Sequence, residues 1–338
     1  MSEKICILGS GAWATALGCC LSRNKNKVII WGINEQEVND INNGYNKKYF
    51  GSKKLFSKLE ATLDLKIALQ NARYILIAVP SYVIISVIKN LESFLSKNKP
   101  ITFINVAKGL DPNTYDVWSR SIKKELKRYN FDLVSLVGPS FAVDVFDQKP
   151  TVVNVSSKRL ESSKRVSELF NCNFFKAIPI TDEIGVQVLS ALKNLLAVGV
   201  GIAQENHNSI NTISAMLTEG VMEMQIIAKK MGSKSKTILQ FCGIGDIFLT
   251  CTSDKSRNFS FGKEIFRNGL EVTLKNNKNT VEGYKVYKIV SQIIRKYNLD
   301  TPVFKLIIKV LDGKLQPKDF VNASLEDILK NSKNKIFC

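Results

Sequence analysis

Apolar residues in the first half of the chain fall into short unbroken runs: ICIL (5–8), KVIIWG (27–32), YILIAVPS (74–81), ITFINVAKG (101–109) and LVSLVGPSFA (133–142). Each run ends in small or polar residues, and stretches of helical character separate them. Unbroken rather than alternating runs are what strands covered on both faces need, so the pattern predicts a parallel sheet flanked by helices. From about residue 182 the period lengthens to that of helices, at 184–205, 211–231, 235–242, 259–270 and 280–297. A chain of 338 residues is long enough for two cores. The expected division is an α/β domain over 1–181 followed by an all-helical domain over 182–338.

The first strand runs into Gly9-Ser10-Gly11-Ala12-Trp13-Ala14, a Gly-x-Gly-x-x-Ala turn that opens a helix. The two glycines allow a tight turn and a close backbone approach, and Ala14 is small enough for the helix to pack on the strand. The free N–H groups and positive end of that helix then point at whatever lies over the glycines, and a pyrophosphate is the natural occupant. A second strand at 27–32 completes the βαβ unit, so this is a Rossmann-type reading. An acid for the ribose hydroxyls or an arginine for a 2′-phosphate is expected at the end of that strand, but Gly32, Ile33 and Asn34 stand there. The choice between NAD and NADP stays open. Ligands gather at the carboxyl ends of parallel strands, which puts Pro80, Lys108 and the Gly138–Ser140 stretch on one rim.

On a wheel of the 184–204 helix, Gln187, Ser190, Lys193, Asn194, Ala197 and Gly201 share one arc and every leucine lies outside it. A small and polar stripe on an apolar helix is read as the lining of a cleft. Burial of Lys193 there lowers its proton affinity toward general acid and base use; the alternative is a lysine that snorkels to solvent. Read as a lone buried cation, Lys193 is expected to be replaceable by methionine without loss of folding. Asp246 and Thr250 stand one helical turn apart and can face the same site. Ser256, Arg257 and Asn258 follow in what reads as a polar loop, where the planar fork of an arginine suits phosphate oxygens.

Lys and Arg number 48 against 30 Asp and Glu, a formal charge of +18, which favours anionic partners. Much of the excess lies in KNNKN (275–279) and KNSKNK (330–335), read as solvated loop and tail. No basic helix interleaved with aromatics occurs, which argues against nucleic acid. The seven cysteines have no Cys-x-x-Cys spacing and the chain begins with no secretory leader, so reduced thiols in a cytoplasmic setting are expected, with no zinc site. The apolar 184–204 stretch is interrupted by Gln187, Lys193 and Asn194 and is read as a buried helix, not a membrane span. His207, the single histidine, lies in the polar ENHNS stretch.

These motifs in this order, from GSGAWATAL through VPS, AKGL, GPSFA, IGVQVLSALKNLLAVGVG and GIGDIFLTCTSDKSRN to TVEGY (280–284), resemble the bacterial NAD(P)-dependent glycerol-3-phosphate dehydrogenases over nearly the whole chain. The resemblance implies reversible reduction of dihydroxyacetone phosphate to sn-glycerol 3-phosphate for glycerophospholipid synthesis. It makes Lys193 the general acid and base, has Lys108 hold substrate oxygens and touch the cofactor, and has Asp246 orient the lysine. Gly138, Ser140, Asn194 and Thr250 would line the substrate pocket, with Ser256, Arg257 and Asn258 at its phosphate end. Gly9, Ser10, Gly11, Ala12, Trp13, Ala14, Pro80, Lys108, Ala142, Arg257, Thr280 and Glu282 would contact NAD or NADP. A homodimer is left open. The chain departs from the family at Ala12-Trp13-Ala14, at Val143-Asp144, and over 206–220, where a polar loop and Thr218-Glu219-Gly220 replace a glycine-rich turn and Thr-Arg-Gly. Allosteric control is left open by that segment. A dehydrogenase of β-hydroxyacids, with the same two-domain plan but a carboxylate substrate, and a nucleotide-binding regulator of nucleic acid are the competing readings.

Overall fold

The computed structural model describes residues 2–96, 99–277 and 280–335. The chain forms two compact units, one made of residues up to 107 together with 118–183, the other of 108–117 together with the chain from 184 onward. The excursion 108–117 therefore packs with the helices, although it is flanked in sequence by strand and helix of the first unit.

The first unit holds an eight-stranded sheet: β1 (Lys4–Leu8), β2 (Lys27–Trp31), β3 (Glu60–Thr62), β4 (Tyr74–Ile77), β5 (Ile101–Asn105), β6 (Phe131–Val137), β7 (Thr151–Ser157) and β8 (Phe175–Ile180). Their order is β3-β2-β1-β4-β5-β6-β7-β8, whose first six places follow the doubly wound dinucleotide-binding order. The unbroken apolar runs serve both faces. Ile5 and Ile7 of β1 join the core beneath the first helix (Ala12–Arg23) with Leu17 and Leu21, while Cys6 and Leu8 join the opposite core with Ile88 and Phe103. The sheet is not parallel throughout, because β6 and β7 pair antiparallel. The last two strands escape the sequence pattern. Asn154 and two serines interrupt β7, and β8 carries Lys176 and Pro179.

The second unit is helical. Its central helix, Glu183–His207, is long and apolar enough to cross a membrane by length and composition, but the whole of that apolar window is buried inside the protein. Small residues explain how neighbouring helices reach it. A Cβ on Gly201 would lie 2.1 Å from the Phe259 carbonyl oxygen, and one on Gly262 would lie 2.1 Å from that of Val198. The two backbones touch there, so Gly201 and its neighbours serve helix packing rather than a cleft lining. Glu223, fully buried in the Ile210–Met231 helix, accepts hydrogen bonds from the Val303 and Phe304 N–H groups at 2.8 and 2.9 Å and so caps the Pro302–Leu311 helix.

Several expected loops are helical. Asn206 and His207 end the central helix, Asn208 turns with φ +44°, Ser209 caps the next helix, and Glu219 is buried within it. Lys330–Lys335 continue the Phe320–Lys335 helix instead of trailing as a tail. Of KNNKN, Lys275 and Asn276 end a short helix, while Lys278 and Asn279 lie outside the described residues.

Candidate active site

In the first unit the turn after β1 has the properties the sequence suggests. Gly9 adopts φ +110° with its Cβ position 2.8 Å from the Ala78 carbonyl oxygen, so only glycine fits. Nothing lies within 4 Å of a Cβ on Gly11. Gly11 is also the N-cap of the Ala12–Arg23 helix and supplies no side-chain cap, so the first-turn N–H groups keep their capacity for an anion. This open space and uncapped helix end fit a dinucleotide pyrophosphate. Ala14 is buried on the strand, and Ala12 and Trp13 are half-buried.

Ser10 is tied into the protein through its hydroxyl. Its hydroxyl donates to Glu37 Oε2 at 2.5 Å, and Lys48 pairs with Glu37 Oε1 at 2.6 Å. Asn46 donates to the Ser10 carbonyl at 2.9 Å and to Thr15 Oγ1 at 2.8 Å. The side chain of Ser10 therefore braces the turn. Neither Glu37 nor Asn46 was expected at this turn, yet Asn34 followed three residues later by Glu37 is a capping signature, and Asn34 does accept from the Glu37 N–H at 3.0 Å.

The other rim residues of this unit also sort by environment. Gly138 is required by packing, since its Cβ would lie 2.7 Å from Val153 Cα across β6 and β7. Ser140 donates to the Gly138 carbonyl at 3.1 Å. Pro80 is exposed at the start of a single 3₁₀ turn, and Ala142 opens the short Ala142–Phe146 helix.

In the second unit the structure draws together residues far apart in sequence. Lys193 is 2% exposed. Its Nζ donates to Asp246 Oδ1 at 2.5 Å and to Thr250 Oγ1 at 2.8 Å. Asp246 and Thr250 face it from one turn of the Asp246–Cys251 helix. Lys108, carried into this unit by the 108–117 excursion, places its Nζ 3.8 Å from Asp246 Oδ2, an oxygen that is buried and has no hydrogen bond. One fully buried carboxylate thus stands between two lysines.

Burial lowers the Lys193 ammonium far below the usual lysine range, to about 7; Asp246 opposes the shift and the Lys108 charge reinforces it. Snorkelling is excluded by this geometry. The neighbouring Cys251 thiol is pushed up to about 12, mainly by burial, which removes it as a nucleophile.

Behind the lysine runs a polar chain. Asn194 Oδ1 accepts from Asn258 Nδ2 at 3.0 Å, and Asn258 Oδ1 accepts from the Gly283 N–H at 2.8 Å. Asn194 Nδ2 donates to the Ser190 carbonyl. Both ends of the Asn258 amide are thereby engaged, so it locks three helices together.

The expected polar loop is not one. Ser256 caps the Arg257–Asn268 helix through the Phe259 N–H, and Arg257 stands exposed in the first turn. Glu282 is half-buried with its carboxyl raised by burial, against the pull of Lys285, Arg257 and Lys108, and Thr280 is exposed. No cluster of metal-ligating side chains occurs among the described residues.

A dinucleotide cradle in a doubly wound sheet, joined in one chain to a helical unit with a buried low-affinity lysine, is the plan of a nicotinamide-dependent dehydrogenase. Comparison with known proteins narrows the class. Residues 4–163 match the family described as NAD-dependent glycerol-3-phosphate dehydrogenase N-terminus, and residues 182–322 match the corresponding C-terminus. Glycerol-3-phosphate dehydrogenase [NAD(P)+] of Malacoplasma penetrans is 53% identical over 337 residues, 99% of this chain and 100% of that protein. The enzyme of the same name from Mesoplasma florum is 35% identical over 97% of this chain and 99% of its own length. The crystal structure of glycerol-3-phosphate dehydrogenase from Coxiella burnetii superposes with a TM-score of 0.87 at 28% identity, covering 96% of this chain and 99% of that one. The chain belongs to the NAD-dependent glycerol-3-phosphate dehydrogenase family.

Proposed function

We propose that this chain catalyses the reversible reduction of dihydroxyacetone phosphate to sn-glycerol 3-phosphate with NADH or NADPH, feeding glycerophospholipid synthesis. The observation that carries the mechanism is the Lys193 ammonium, buried, held on Asp246 and Thr250, and lowered to about 7. Reducing a ketone needs a proton for the oxygen and positive charge where the alkoxide develops. Gly9, Gly11 and the uncapped start of the Ala12–Arg23 helix would hold the pyrophosphate of a nicotinamide dinucleotide, which when bound would supply the hydride.

Lys193 donates its proton to the C2 oxygen and, in the reverse direction, takes it from the hydroxyl. Asp246 and Thr250 fix Nζ, and Asp246 keeps the ammonium from losing its proton altogether in so dry a place. Lys108 adds the second positive charge. Arg257 takes the phosphate with its planar fork from a helix first turn, and Ser256 and Asn258 hold that turn rather than the substrate. Gly138 and Ser140 shape the rim after β6. Glu282 and Thr280 serve the cofactor side.

The protein works as a cytoplasmic homodimer in this reading. Thiols are free among the described cysteines, and Leu239, Phe241, Ile244 and Phe248 expose apolar surface close together in the chain. Initial rates with dihydroxyacetone phosphate and each reduced nicotinamide test the activity, and small keto acids turned over at equal rates would overturn the substrate assignment. Light scattering at micromolar concentration tests the dimer.

A further inference from the structure

In a βαβ dinucleotide unit the adenosine ribose reaches the carboxyl end of the second strand, where an acid reads its 2′-hydroxyl or a cation accepts a 2′-phosphate. Gly32, Ile33 and Asn34 at the end of β2 offer neither. The fold brings a charge to this place from further along the chain. A Cβ on Gly32 would lie 2.8 Å from Ser10 Oγ, so the Ser10 side chain rests against the end of β2. Ser10 Oγ donates to Glu37 Oε2 at 2.5 Å, and the Lys48 ammonium donates to Glu37 Oε1 at 2.6 Å. A single carboxylate therefore separates the glycine turn from Lys48.

The segment that carries Lys48 is anchored on the same turn. Asn46, fully buried, donates to the Ser10 carbonyl at 2.9 Å and to Thr15 Oγ1 at 2.8 Å. Two residues on, 60% of the Lys48 side chain is exposed, against 10% of the Glu37 side chain. Both Glu37 oxygens are engaged, so this acid is not open to ribose hydroxyls. Asp40 of the same helix is likewise occupied, by the Gln36 amide at 3.0 Å, the Lys47 N–H at 3.2 Å and the Lys47 ammonium at 3.9 Å. Glu35 is exposed in the first turn of that helix, and no hydrogen bond or ion pair ties it to the glycine turn. The charge that the fold fixes beside the turn and leaves open to a ligand is the Lys48 ammonium.

We propose that Lys48 reads the 2′-phosphate of NADPH and so sets cofactor preference in a chain whose second strand ends without an arginine. This rests on the nicotinamide-dependent reading above. Glu37 is the positioning residue: it holds the ammonium beside the turn, and its own negative charge opposes the phosphate. Water screening and the shared carboxylate hold the advantage to about three- to fivefold. NADH lacks the phosphate and gains nothing from Lys48.

Isothermal titration calorimetry of the intact protein with NADPH and with NADH gives the ratio of the two affinities. A variant that merely loosens the turn weakens both nucleotides, and that loss cancels in the ratio. Lys48→Gln should lower the preference for NADPH by about three- to fivefold, and Lys48→Arg should retain it. Lys47→Gln, which removes a neighbouring charge held by Asp40, should change it by less than about twofold. Glu37→Gln can still accept from Ser10 and should raise it. Added salt, from about 50 to 500 mM, should shrink the ratio in the parent and leave that of Lys48→Gln nearly flat. An unchanged ratio in Lys48→Gln, or an equal fall in Lys47→Gln, would overturn the proposal and leave the cofactor reading standing. A parent protein that binds neither nucleotide would overturn both.

Discussion

Replacing Lys193 by methionine strands Asp246. As a lone buried cation, Lys193 would be dispensable to folding, but the structure pairs it at 2.5 Å with a carboxylate that is 0% exposed. Removing one member of a buried pair leaves an uncompensated charge and costs about 3–5 kcal/mol. What Asp246 retains is Thr250 Oγ1 at 3.4 Å and Lys108 at 3.8 Å, contacts already present in the parent, so neither refunds the loss. The expected deficit is therefore in that range at pH 6, where Lys193 is an ammonium. It should shrink as pH rises through about 7, because the parent then loses the ammonium that pairs with Asp246. The double variant Lys193→Met with Asp246→Leu removes both charges and fills similar volume, so most of the stability should return. Urea denaturation followed by circular dichroism, at pH 8 and pH 6, reads all three proteins. Activity separates the two roles: both variants should lose at least about 10²-fold in kcat/KM, the lower end for losing general acid help, whether or not stability is restored. A Lys193→Met protein as stable as the parent, or a double variant less stable than the single, would refute the buried-pair reasoning.

Four further outcomes follow from the same geometry. With Lys193 lowered to about 7, kcat/KM for reduction, which needs the ammonium, should fall as pH rises through about 7, while the oxidation of glycerol 3-phosphate, which needs the free amine, should rise over the same range. Lys108→Met removes a neighbouring positive charge, so it should move that midpoint upward; a downward move would exclude Lys108 from the site's electrostatics. Arg257→Lys keeps the charge and loses the fork, and kcat/KM for dihydroxyacetone phosphate should drop on the order of 10²-fold with unphosphorylated dihydroxyacetone much less affected; equal losses would assign Arg257 to the cofactor or the fold. Preference between NADH and NADPH should stay within about tenfold, since Ile33 is 85% exposed, the Asn34 side chain is engaged as a helix cap, and a Cβ at Gly32 would meet Ser10 Oγ at 2.8 Å; steady-state kinetics showing a thousandfold preference would mean that a residue outside this turn reads the ribose.

What the sequence made legible followed from local spacing. The βαβ unit and its glycine turn could be read because strand, turn and helix adjoin, and Asp246 with Thr250 could be read because one helical turn separates them. The stripe through Lys193 was visible, but its meaning was divided: Lys193 faces a charged partner, whereas Gly201 faces the Phe259 backbone, and a wheel registers size and polarity without the partner across. Long-range partners were hidden for the same reason. Nothing local couples Asn194 to Asn258 and Gly283, or Ser10 to Glu37. The antiparallel β7 and half-exposed β8 were lost because polar residues break their apolar runs, and the Asn-rich stretch near 206 looked like a loop although a two-residue turn suffices to join the flanking helices.

The 108–117 excursion has a bearing on how such a protein can be taken apart. The chain passes between its units at 107/108, at 117/118 and at 183/184, so they are not beads on a string. A fragment cut at 181/182 would carry Lys193, Asp246 and Thr250 but leave Lys108 on the other piece, and Asp246 would then balance one cation instead of two. Neither half is a self-sufficient module, and an exchange of either one between relatives would have to carry this ten-residue loop across with the helices or forfeit the second lysine.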